Sequence, residues 1–148
     1  MTWENWFKRR SQHLQDLWRW RIVDRRVPTG SQELGRWGEW RAGQFLRQKG
    51  FRLLLQNVRM PCGEIDWIAV DGEILVFVEV KTRDLELTDH PIFAIDWKKR
   101  KRLRKASRLY LRSLRLPHPP TFRFDAVEVL IYSSYSWECR WTPRLEII

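Results

Sequence analysis

Three residues near the middle of this 148-residue chain could do chemistry together: Asp66, then Glu79 thirteen positions later, then Lys81. They stand in Gly63-Glu64-Ile65-Asp66 and Glu79-Val80-Lys81, inside stretches that otherwise read as apolar strands. Val76, Val78 and Val80 would occupy one face of the second stretch, which leaves Phe77, Glu79, Lys81 and Arg83 on the other. Two carboxylates about 5 Å apart repel by roughly 3 kcal/mol at an effective dielectric constant near 20. A divalent cation removes that penalty. Mg²⁺ suits such a pair because it is hard, octahedral and slow to shed all its water, so it takes carboxylate oxygens and leaves positions for water and a substrate phosphate; Mn²⁺ would substitute. Lys81 could then orient or help deprotonate the attacking water and steady the charge developing on the phosphorane. The plainer alternative is an ion-pair ladder in which Lys81 and Arg83 merely neutralise Glu79, Glu64 and Asp66.

Whether the two carboxylates meet depends on the turn between their strands. If Asp71-Gly72 is the loop, Asp66 faces Phe77 and is the diagonal neighbour of Glu79; if Gly72-Glu73 is the loop, Asp66 lies directly opposite Glu79. Either register puts the Cβ atoms about 5 to 8 Å apart. A three-residue loop would turn Glu79 to the other face and destroy the site.

The surrounding elements follow from periodicity. Leu34, Trp37, Ala42, Phe45 and Leu46 recur at helical spacing from Ser31 to Lys49, and Gly50 stops the helix. Gly35, Gly38 and Gly43 weaken its interior, which points to close backbone packing. Strands are expected over 51–58, 64–70, 74–82 and 122–132, with a turn at Pro61-Cys62-Gly63 and a final element over 137–148 that pairs with its predecessor or forms an edge. After an acidic loop from Asp84 to His90, Pro91 can open a long helix reaching about Leu116, with Leu103, Ala106, Leu109, Tyr110 and Leu114 inward; Pro117 and Pro119-Pro120 end it. Helix, three strands, helix and one or two strands make an α/β domain with a mixed sheet flanked by helices. The expected organisation is a Trp-rich basic extension over residues 1–30 and one domain over 31–148. In the extension, Trp3, Trp6, Phe7, Leu14, Leu17, Trp18 and Ile22 suggest amphipathic helices that pack on the domain, touch a membrane surface or fill a partner groove.

Charge narrows the partner. Lys and Arg number 28 against 18 Asp and Glu, a formal +10 that suits a polyanion, whether DNA, RNA or an acidic membrane. The densest run is Lys98, Lys99, Arg100, Lys101, Arg102, Arg104 and Lys105, seven basic residues in eight positions. A helix cannot bury them all, so most form a solvent-facing ridge for phosphates. No zinc-finger, RNP or leucine-zipper pattern appears, so structure or ends would be read rather than sequence. Cys62 and Cys139 lack metal-ligand neighbours and read as free thiols in a reducing cytosol, and the three histidines are scattered. No apolar run approaches the roughly 20 residues of a membrane span, and the charged first thirty residues lack a signal-peptide core, so a cytoplasmic location is expected.

Taken together, Leu34-Gly35-Arg36-Trp37-Gly38-Glu39-Trp40-Arg41-Ala42, Gly50, Asn57, Arg59, Gly63-Glu64-Ile65-Asp66, Val76-Phe77-Val78-Glu79-Val80-Lys81-Thr82-Arg83 and Arg123-Phe124-Asp125 resemble the YraN family. That family is grouped with the PD-(D/E)XK nucleases, close to the archaeal Holliday-junction resolvases, and the likeness covers about residues 31 to 132. It implies a restriction-endonuclease-like core in which Asp66 and Glu79 bind metal, Lys81 is the motif lysine and Glu39 is the acidic residue supplied by the preceding helix. Glu64 then becomes an acid supporting the site from just outside it, with Arg83 beside it, and Asp125 a cap or an ion-pair partner of Arg123. Resolvase-like relatives also imply a two-fold dimer. The chain departs from the family pattern at Asp89-His90-Pro91, where a glycine is usual, and at Lys99-Arg100, where the pattern has Lys-Gln. The expected activity is Mg²⁺-dependent cleavage of phosphodiester bonds in structured nucleic acid, branched DNA first. The alternative is a binding module that keeps the nuclease fold without turnover, which the second departure favours.

Overall fold

The computed structural model of the chain describes residues 26–87 and 97–146. The Trp-rich arm up to residue 25, Pro91 as a helix start and the end of the acidic loop lie outside the described residues. The described elements run in the expected order: helix α1 (Ser31–Gln48), strands β1 (Arg52–Met60), β2 (Gly63–Asp71) and β3 (Ile74–Asp84), helix α2 (Trp97–Ser113), then strands β4 (Phe122–Ser133) and β5 (Ser136–Thr142). One five-stranded sheet has the order β1-β2-β3-β4-β5. Neighbours are antiparallel except β3 and β4, which are parallel and joined through α2, so the sheet is mixed.

Among the described residues, each face of the sheet is covered by one helix. Trp37, Ala42 and Leu46 of α1 pack on Trp67, Ala69, Val76, Val78, Val80, Val127 and Val129. Leu103, Ala106 and Tyr110 of α2, with Leu114 just beyond it, pack on Leu54, Ile68, Val70, Leu75 and Phe77. The alternation of Val76, Val78 and Val80 with Leu75 and Phe77 is the period-two signature of a strand buried on both faces.

Local chemistry fixes the element ends. Gly50, with φ of 94°, takes the left-handed conformation after α1, and the N–H groups of Gly50 and Phe51 donate to the carbonyls of Arg47 and Leu46. Within α1 the glycines divide. A Cβ on Gly38 would sit 1.7 Å from Thr82 Oγ1, so α1 touches β3 backbone to side chain there, whereas a Cβ on Gly35 would meet nothing within 4 Å. Only the first is explained by close packing. At the sheet's end, buried Asp125 accepts hydrogen bonds from Arg123 Nε (2.9 Å), Trp141 Nε1 (3.0 Å) and the Arg144 N–H (3.0 Å), while Arg123 also reaches Asp71 at 2.7 Å. Asp125 is thus a structural latch joining β2, β4 and the chain after β5, as the ion-pair reading of Arg123 anticipates. No described helix is long and apolar enough to cross a membrane.

Candidate metal and nucleic-acid site

Of the two registers left open by the sequence, the β2–β3 hairpin adopts the one that sets Asp66 directly opposite Glu79. Asp71 pairs with Ile74 and Trp67 with Val78, so the loop is Gly72-Glu73 and the next facing pair is Asp66 and Glu79. Gly72, at φ of 60°, supplies the left-handed turn residue. At Asp66 the regular ladder stops. Instead, the Val80 N–H donates to Asp66 Oδ2 at 2.7 Å, so a side chain satisfies a backbone group that a neighbouring strand would otherwise take.

The same irregularity continues into β1. Gln56 pairs with Trp67 and Val58 with Ile65, which leaves Asn57 facing Asp66, and Asn57 itself is left-handed at φ of 51°. Asn57, Asp66 and Glu79 therefore form one transverse row across three strands, at the place where the β2–β3 ladder ends and the β1–β2 ladder skips one pair before resuming at Val58 and Ile65. Glu39 comes from α1, held by a 2.8 Å hydrogen bond from Trp67 Nε1 to its backbone carbonyl, and its carboxylate takes a hydrogen bond from Asn57. Lys99 comes from α2 on the other side of the sheet, and its ammonium contacts Glu79 Oε1.

Electrostatics mark this row off from the rest of the protein. Burial, with Glu79 adjacent, pushes the Asp66 carboxyl up to about 7. Burial and the charge of Asp66 push Glu39 to about 7 as well. Glu79 is only 2% exposed; burial raises it above the usual carboxylate range, opposed by Lys99, and its carboxyl also exchanges a hydrogen bond with that of Asp66. Burial disfavours the Lys99 ammonium, but Glu79, Asp66 and Glu39 outweigh it and hold the lysine above its ordinary range. Three crowded acids and one half-buried lysine are the pattern expected where a charge must be bound or moved.

The structure thus brings Asp66, Glu79, Lys81 and Glu39 into one neighbourhood, with Lys81 close enough to Glu79 to favour its charged form. Glu64 sits at the rim, close enough to Asp66 and Glu39 to raise both, and it forms a 3.7 Å pair with exposed Arg59 across the ladder. Arg83 lies farther along β3, paired at 3.6 Å with Glu128 of β4, so this contact directs its charge away from Asp66. Among the basic run, Lys98, Lys101, Arg102 and Lys105 are exposed and Arg100 and Arg104 half-buried, with Arg100 3.4 Å from the Glu146 carbonyl. Lys99 leaves that ridge and turns into the carboxylates. The signal for this is the helical stripe shared by Lys99, Leu103, Ser107 and Tyr110, of which the last three are buried. For Asn57, the signal is an asparagine inside an apolar strand, a residue type that tolerates the left-handed conformation it adopts there.

Residues 38–129 match the family described as Uncharacterised protein family UPF0102, 92 of the 148 residues and hence more than half the chain. The chain belongs to UPF0102, the YraN family of the motifs above. A UPF0102 protein of Symbiobacterium thermophilum is 46% identical over 99 residues, covering 67% of this chain and 83% of the relative. One from Alkaliphilus metalliredigens is 44% identical over 101 residues, 68% of this chain and 88% of its own. One from Renibacterium salmoninarum is 46% identical over 114 residues, 77% and 91% respectively. The UPF0102 match spans the whole row of Asn57, Asp66 and Glu79, together with Glu39, Lys81 and Lys99, and ends before β5.

The donor set fits a hard divalent ion. Among the described residues no group of three or more His, Cys, Asp and Glu side chains is arranged to hold a metal. The ligands on offer are two carboxylates, Asp66 and Glu79, already in contact and mutually repelling when charged. Oxygen-only donors in small number, with water and phosphate to complete the sphere, are a Mg²⁺ rather than a zinc preference.

Proposed function

We propose that this UPF0102 protein is a Mg²⁺-dependent nuclease that hydrolyses phosphodiester bonds in structured nucleic acid, with branched DNA as the favoured substrate. The observation that carries this reading is the meeting of Asp66 and Glu79 where the β2–β3 ladder opens, with Lys81 on the same strand and a basic helix alongside. Asp66 and Glu79 would hold the metal, which supplies Lewis-acid polarisation of a phosphoryl oxygen and acidifies a bound water.

The chain's own residues supply the rest. Lys81 orients the attacking water and balances charge on the phosphorane. Glu39, carrying a proton up to about pH 7, is placed to exchange one with water at the rim. Lys98, Lys101, Arg102 and Lys105 contact backbone phosphates and set the duplex against the opening, without reading bases. A two-fold pair of chains would present two such openings to a symmetric junction.

The test is incubation of purified protein with branched, flapped and linear DNA and structured RNA in Mg²⁺, Mn²⁺ or EDTA. Cleavage of branched DNA that needs the metal and is lost in Glu79→Gln supports the proposal; cleavage unaffected by that substitution or by EDTA refutes it. One observation favours a second reading, a binding module without turnover: Lys99 already neutralises Glu79. That module would bind nucleic acid in EDTA, with affinity falling steeply as salt rises, and would cut none of the substrates.

A further inference from the structure

We propose that Lys99 is a resident cation that competes with a divalent metal for the Asp66 and Glu79 pair, so that loading the site requires the lysine to leave. The inference rests on the metal reading above. Its ammonium contacts Glu79 Oε1, an oxygen the metal would need, and two cations cannot share one lone-pair direction.

Three features suit Lys99 to this role. It is delivered by α2 rather than by the sheet, so its departure disturbs no ladder. Its side chain is long, unbranched and 43% exposed, which leaves a path from the carboxylates to solvent. Finally, it sits beside Lys98 and one helical turn from Arg102, both exposed. A phosphate docked on that ridge gives the displaced ammonium a new partner. Metal and nucleic acid would therefore load together, each relieving the other of a competing contact. Lys81 cannot play this part, because it belongs to β3 itself, paired in register with Glu128.

The test is Mn²⁺ titration of the full chain without nucleic acid, followed by calorimetry or by the free-ion electron paramagnetic resonance signal. Wild type, Lys99→Gln and Lys101→Gln are compared; Lys101 is an exposed lysine of the same helix. Lys99→Gln is expected to bind Mn²⁺ about tenfold or more tightly than wild type, and Lys101→Gln within about twofold of wild type because its charge is screened. Equal or weaker binding by Lys99→Gln overturns the competition while leaving the metal site standing. Absence of Mn²⁺ binding in all three proteins overturns the metal reading and the competition with it. Thermal unfolding gives an independent readout if Lys99→Gln folds poorly without metal. The variant should unfold at lower temperature than wild type in EDTA and gain more from Mn²⁺, and a gain equal to that of wild type contradicts the proposal.

Discussion

The Val80 N–H donates to Asp66 Oδ2 at 2.7 Å, at the point where β2 and β3 stop pairing. One carboxylate oxygen is thereby spent on holding the strands at their divergence, while the same carboxyl shares a hydrogen bond with Glu79. This dual use separates two substitutions. Asp66→Asn keeps an oxygen acceptor for Val80 and removes the charge; it should leave the fold intact and lower metal-dependent cleavage by about 100-fold or more. Asp66→Ala also strands a backbone donor, at a further cost of about 1–3 kcal/mol in stability. Circular dichroism melts beside cleavage rates check both, and full activity in Asp66→Asn would contradict the assignment.

A pH dependence follows from the same crowding. Asp66 and Glu39 titrate near 7 in the folded chain, above their ordinary values of 3.8 and 4.5. A raised carboxyl favours the folded state while protonated, so this contribution is fully present below the ordinary values and is lost as pH rises through about 7. In EDTA, the melting temperature of wild type relative to Asp66→Asn should therefore fall across that interval, and Mg²⁺ should restore it at the alkaline end. A difference that stays level with pH would mean Asp66 is not crowded in solution.

The two glycines of α1 give a test of the fold alone. Gly38→Ala would place a methyl 1.7 Å from Thr82 Oγ1 and 2.8 Å from Thr82 Cβ, and should destabilise by about 1–3 kcal/mol. Gly35→Ala meets open space and should stabilise by roughly 0.5–1 kcal/mol through helix propensity. Denaturant melts that rank the pair the other way would contradict the α1–β3 contact.

Asp125 was legible as a partner of Arg123, and its loss should be structural rather than catalytic. Asp125→Ala removes five hydrogen-bond contacts from Arg123, Trp141 and the Arg144 backbone and leaves a guanidinium only 14% exposed without one of its two carboxylates. The expected cost is about 3–5 kcal/mol. A melt shifted by less than about 1 kcal/mol would mean that the latch is replaceable.

The sequence carries most of the architecture because the alternations and helical stripes are strong. Val76, Val78 and Val80 set one face of β3, Leu103, Ala106 and Tyr110 set the inner face of α2, and both bury as their periods require. The hairpin was legible down to two registers, since Asp71-Gly72-Glu73 holds one glycine that serves either two-residue loop. What could not be read is the end of the β2–β3 ladder. A strand pattern says which face a residue takes, but not that pairing stops at Asp66 or that Asn57 turns left-handed opposite it. Lys99 was hidden for a related reason, because seven basic residues together read as one solvated ridge, although the stripe through Leu103 and Tyr110 singles out one of them.

The most direct measurement of the central claim is anomalous diffraction from crystals soaked in Mn²⁺, at a pH above the range in which Asp66 holds its proton. An anomalous peak within bonding distance of both Asp66 and Glu79, lost in Glu79→Gln crystals, is the expected result. No peak between them, with the two carboxylates still in contact and Lys99 still on Glu79, would contradict it.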